Sequence, residues 1–161
     1  MTRESDANPP VPTTTAAPEW GRAYTAPDIT VYFDKARCIH FAACIRGLPQ
    51  VFNTDARPWI QPDAAPAGAL AEVVRRCPTG ALHYALASGP AEQPEDTTIQ
   101  VCEKGPLFVR GDLRMAAPQG SVHDTRMALC RCGASHNKPF CDGSHRNSGF
   151  EAAGGEKLNQ G

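Results

Sequence analysis

The sequence predicts an α+β protein built from two small modules, the second mostly β with a short ligand-bearing helix. Three observations carry that prediction. Six of the seven cysteines fall in two groups: Cys38, Cys44 and Cys77 in the first half, and Cys130, Cys132 and Cys141 in the second. Between the groups, residues 87–96 (ASGPAEQPED) read as a polar Pro/Gly linker. On both sides of it, short period-two segments outnumber the single stretch with helical periodicity.

The elements follow in order. Residues 1–27 are rich in Pro, Thr and Ala and are expected to form a disordered arm. The first module spans 28–86. Ile29, Val31 and Phe33 alternate with Thr30 and Tyr32, the pattern of a half-buried strand. A cysteine-bearing turn follows, then Val51-Phe52 and Arg57-Pro58-Trp59-Ile60. From Pro66 to Arg76, Leu70, Val73 and Val74 fall on one helical face, and Pro66 suits a first turn. Residues 81–86 read as a second strand. The second module spans 97–151. Its strands are marked by Ile99 and Val101, by Leu107–Val109, and by Met127–Leu129 leading into the cysteines. Residues 152–161 are expected to be a flexible tail.

Composition sets the outer limits. A net charge of -1 over 161 residues argues against nucleic acid or an anionic membrane as partner. No apolar run has membrane-span length, and the N-terminus lacks the apolar core of a secretory signal, so the expected address is the cytoplasm. Seven cysteines, an odd number, argue against a fully paired disulfide framework and for metal ligation in a reducing compartment. With 14 glycines and 15 prolines, two such modules bury little apolar surface, and bound metal would supply part of the folding energy. No nucleophile–base constellation or phosphate loop is present, so no enzyme is expected.

The most informative segment, Cys130 to His145, reads CRCGASHNKPFCDGSH, with spacing C-x-C-x8-C-x3-H. Cys130 and Cys132 project to one side of an extended segment, and Cys141 and His145 share a face of a helical turn. Two ligand pairs suit the two irons of a [2Fe-2S] cluster. The same four residues could hold one tetrahedral zinc, although zinc more often uses C-x2-4-C. The segment resembles the CDGSH iron–sulfur domain of the mitoNEET-like proteins. The likeness extends to Asn137-Lys138-Pro139-Phe140, to Gly149-Phe150 and to the strands around Gly105–Leu107 and Val109–Leu113. It implies a [2Fe-2S] centre on Cys130, Cys132, Cys141 and His145, with Asp142 and Lys138 in support. It also allows a homodimer built on Thr98–Cys102 and Leu107–Val109.

The first group reads Cys38-Ile39-His40-Phe41-Ala42-Ala43-Cys44, followed later by Cys77-Pro78. A bacterial ferredoxin run is C-x2-C-x2-C with a distant Cys-Pro. Here Phe41 stands at the middle ligand position. Three thiolates suit a [3Fe-4S] cluster, or a [4Fe-4S] cluster whose fourth iron takes another ligand. His40 is a fourth ligand or a residue hydrogen-bonded to the cluster, and Cys102 is a more remote candidate. This region resembles the divergent single-cluster 4Fe-4S ferredoxin-like domain of YjdI-like proteins. The likeness rests on Arg37–His40, Cys44, Leu48-Pro49, Val51-Phe52, Arg57–Ile60, Pro62-Asp63 and Cys77–Leu82.

Together these features predict a two-cluster iron–sulfur protein for electron transfer or redox sensing, working with a redox partner protein. A carrier that donates clusters to apo-proteins is the alternative, and a zinc-stabilised interaction module is a third reading. His83 and His123 are expected to be surface or half-buried residues, Trp20 and Trp59 packing residues, and Arg46 a solvated charge. His136 is expected near the second cluster without binding it.

Overall fold

The structure is a computed structural model and describes residues 20–158. The arm expected over 1–19 and the last three residues of the tail lie outside it. The remainder of that arm is not disordered. Arg22–Thr25 forms β1, pairing antiparallel with β2 (Ile29–Phe33), which in turn pairs with β3 (Leu82–Leu86). Val31 faces Tyr24 on one side and Tyr84 on the other, so the period-two pattern fixes the register.

Two helices complete the first module, α1 (Ala43–Gly47) and α2 (Ala67–Arg75). Pro66 precedes α2, and Leu70, Val73 and Val74 form its buried face, as their spacing predicts. They close on Val31, Val51, Phe52, Ile60 and Leu82 in one core. Each fully buried aliphatic side chain there contributes roughly 1.5–3 kcal/mol relative to exposure.

The second sheet has the order β4-β5-β6. β4 is Thr98–Val101, β5 runs Leu107–Ala117 and β6 runs Gly120–Leu129. The last two are far longer than the segments their apolar residues mark. The register shifts between Arg110 and Leu113. Gly111 sits there at φ +138, where a Cβ would lie 2.6 Å from Thr97 Oγ1, so the bulge requires glycine. The tail does not hang free up to residue 158. Lys104 donates to Ala152 O and Gly155 to Val101 O, which covers the outer edge of β4. Among the described residues no helix is long and apolar enough to cross a membrane.

The two modules dock through buried charge. Arg37, just before Cys38, pairs with Asp124 of β6 at 2.5 Å and donates to Thr79 O and Arg126 O. Arg126, also on β6, donates to Val74 O, Cys77 O and Leu82 O and pairs with Glu92 at 2.5 Å. Glu92 belongs to the linker, which is therefore part of the interface rather than a spacer. His83 is 2% exposed, contrary to expectation. Its Nδ1 lies 2.9 Å from Glu92, and its Nε2 lies 3.1 Å from Asp124, off the hydrogen-bond axis. Burial works against a charged imidazole, but the two carboxylates outweigh it and raise the His83 pKa. Burial by itself would raise Asp124 and Glu92. The facing His83 and arginines instead hold both carboxylates below their usual range. Trp20 stacks on His83 at 4.5 Å. Gly80 lies in the interface, where a Cβ would meet Arg126 O at 2.3 Å.

Candidate metal centres

The second candidate centre is built at the end of β6. Cys141 N donates to Ala128 O and Cys130 N to Pro139 O, which folds the 130–141 loop back on its own strand. The Cys130 and Cys132 sulfurs are 3.9 Å apart, and Cys141 Sγ is 3.4 Å from His145 Nδ1. Two sulfurs at about 2.3 Å from one tetrahedral metal stand about 3.8 Å apart, and a sulfur–imidazole pair about 3.5 Å. Each pair therefore has the spacing of two ligands on one metal. Among the described residues no three His, Cys, Asp or Glu side chains converge tightly enough for a single ion.

The loop is prepared for negative charge. Ala134 N donates to Cys132 Sγ and Gly143 N to Cys141 Sγ, both at 3.4 Å. Burial resists ionisation of Cys130, but the N–H groups of Ser135 and Gly133, Cys132 and the Lys138 charge outweigh it and lower its pKa. Burial raises Cys141. Burial and the Arg146 charge hold His145 below its ordinary value, in the neutral form a ligand needs. Lys138 Nζ donates to Ser135 O at 2.8 Å, tying the loop together. Asp142 accepts from Ser144 N and His136 N, both at 2.9 Å, and these hydrogen bonds hold its carboxyl below the usual range. The ligand-bearing helix is only a 3-10 turn, Ser144–Arg146, entered through Gly143 at φ +89. His136 is exposed beside Asp142, and His123 is exposed and pairs with Asp112.

The first candidate centre lies under β2 and β3. Cys38, Cys44 and Cys77 line one apolar pocket with Phe33, Trp59 and Leu82. N–H groups face all three sulfurs: His40 to Cys38, Ile45 to Cys44, and Thr79 and Leu82 to Cys77. The Thr79 hydroxyl is 3.5 Å from Cys77 Sγ. Burial raises Cys38 and pushes Cys44 up to about 11. At Cys77, burial is outweighed by the Arg126 charge and by Thr79, and the pKa falls. Three thiols ringed by amide donors fit an anionic cluster, whose binding displaces their protons.

His40 and Ala42 hold left-handed backbone at φ 58 and 64, which winds the chain around the pocket. His40 is exposed. It lines an outer cleft with Lys35, Arg57, Cys38 and Cys44, apart from Cys77. Phe41, at the middle ligand position, meets Phe108 of the other module edge-on, with ring centroids 5.7 Å apart. Arg46 lies over the same ring, so it is not merely a solvated charge. Cys102 sits after β4, its thiol raised by burial, and does not line the three-cysteine pocket.

Sequence spacing did not reveal Glu92, Asp124, Arg126 or Arg146, and it gave Arg37 and Ile39 no role at the interface. For the charges of β6 the available signal was Asp124-Thr125-Arg126, two charges two apart running into the apolar Met127–Leu129.

A family model described as "Divergent 4Fe-4S mono-cluster" matches residues 24–87, and one described as "Iron-binding zinc finger CDGSH type" matches 104–146. The chain is 43% identical over 63 residues to "Uncharacterized protein YjdI" of Escherichia coli (strain K12), an alignment spanning 39% of this chain and 83% of that protein. The protein of the same name from Escherichia coli O157:H7 aligns equally well. The three-cysteine module falls within the first match and the CRCGASHNKPFCDGSH loop within the second, so the chain is an iron–sulfur protein. Through its first module, where the divergent 4Fe-4S model matches, it belongs to the family of YjdI, with a CDGSH-type iron-binding module joined behind it.

Proposed function

We propose that the chain is a two-cluster electron carrier or redox sensor. Cys130, Cys132, Cys141 and His145 would hold a [2Fe-2S] cluster, and Cys38, Cys44 and Cys77 a [3Fe-4S] or [4Fe-4S] cluster. The observation that carries the reading is the docking of two candidate ligand sets in one unit, with Ile39, next to Cys38, packed on Cys141. Bound clusters supply reversible one-electron exchange. The protein sets their potentials: a neutral imidazole in place of one thiolate leaves less negative charge at the second centre, which places it above the first. An EPR-monitored redox titration should then resolve two one-electron waves, with the CDGSH-type centre at the higher potential. A single wave from fully loaded protein would defeat the proposal.

The reading takes His40 as close to the first cluster without binding it. The oxidised protein should then give the signal of a [3Fe-4S]⁺ centre without added reductant, and His40→Ala should only shift its potential. A silent native protein that loses an iron and gains the signal in His40→Ala would make His40 a ligand.

Cluster donation remains the second reading, favoured by the half-exposed position of His145. Transfer of [2Fe-2S] to an apo-ferredoxin, faster than spontaneous loss, would establish it.

A further inference from the structure

Four contacts join the loop around Cys38 to the loop around Cys141 and His145. Ala36 O accepts from Asn137 Nδ2 at 3.1 Å. The Arg37 guanidinium lies 4.6 Å from the centre of the Phe140 ring. Ile39, 3% exposed, packs with Cys141, 4% exposed, and Ala128. Ile39 O accepts from Arg146 Nη1 at 2.7 Å. Each partner is a ligand or stands within four residues of one.

We propose that this Ile39–Arg146 junction couples the two centres, so that metal held at one controls how firmly the other holds its own. The inference rests on the two-cluster reading above. Metal orders the loop that binds it. An ordered 38–44 loop presents Ile39 to Cys141 and its carbonyl to Arg146, so the second loop pays less ordering entropy when it closes on metal. An empty first centre frees Ile39 and removes both supports. The coupling is reciprocal by linkage: loss of metal at the second centre loosens the first. The device makes the first centre a gate on iron release from the second.

The test follows iron release to ferrozine from anaerobically purified protein, with each centre tracked by its own absorption. Cys44→Ser empties the first centre. It should speed release from the second by about fivefold or more, the low end of ordinary site–site coupling. In an Arg146→Ala background the same substitution should change release less, because one of the two supports is already gone. In Arg146→Lys, which can still reach the carbonyl, part of the effect should return. The reverse arm uses His145→Ala, which should speed release from the first centre and needs no substitution in that module. Release from the second centre at the native rate in Cys44→Ser, with Arg146 present, would overturn the proposal. Should Cys44→Ser fail to fold, an unchanged first-centre rate in His145→Ala would overturn it alone. A native chain with no first-centre iron would instead overturn the two-cluster reading, and the native iron content registers that separately.

Discussion

Arg126→Met should destabilise the chain by about 3–5 kcal/mol, the usual consequence of breaking a buried ion pair by removing one partner. Methionine replaces much of the volume, so a cavity is not the main cost. The loss is electrostatic. The Glu92 and Arg126 side chains are each 3% exposed, and Glu92 would keep only His83 against its charge. The carbonyls of Val74, Cys77 and Leu82 would lose a donor together, although Val74 O keeps the Cys77 N–H; a buried carbonyl left with no donor costs about 1–3 kcal/mol. Thermal unfolding of the anaerobic protein should fall by roughly 10 °C. Arg114→Met, on the exposed outer part of β5, should stay within about 0.5 kcal/mol of native. Arg126→Lys should recover only part, since an ammonium cannot reach all these acceptors from one planar fork. A loss below about 1 kcal/mol in Arg126→Met would mean that the modules do not depend on this contact.

His145→Cys should lower the potential of the second centre by on the order of 100 mV or more, in line with the gap between mixed His/Cys and all-Cys [2Fe-2S] centres. The substitution is local. His145 is half-exposed on a 3-10 turn, and its Nδ1 already stands at ligand spacing from Cys141 Sγ. A thiolate there adds a negative charge, which favours the oxidised form. The iron content should not change, because four ligands remain. An unchanged potential at unchanged iron content would remove His145 from the ligand set.

Both candidate ligand sets were legible in the sequence because metal chemistry demands residue types at short spacing. Cys130-x-Cys132 and Cys141-x3-His145 announce themselves within one loop, and the Cys38–Cys44 run with its Cys-Pro partner almost as clearly. Strand β2 and helix α2 were legible because each has one apolar and one polar face. The outer halves of β5 and β6 were not. Arg114, Ala116, Ser121 and His123 lie toward solvent, and backbone pairing holds them without an apolar repeat. β1 was hidden by its neighbours, since a Pro- and Thr-rich stretch runs directly into Arg22–Thr25. The interface was hidden for a different reason. Arg37, Arg110 and Arg126 bond there to carbonyls 35 to 89 residues away, a pairing that no local pattern records. Phe41 is the residue on which the two levels meet. Sequence alone shows a missing ligand; the structure shows the side chain at that position turned onto Phe108, where it joins the modules.

Iron and acid-labile sulfide counted on protein purified strictly without oxygen test the central claim most directly. Two loaded centres predict about five to six irons per chain, two at the CDGSH-type centre and three or four at the other, with matching sulfide. About two irons, or zinc without sulfide, would contradict it.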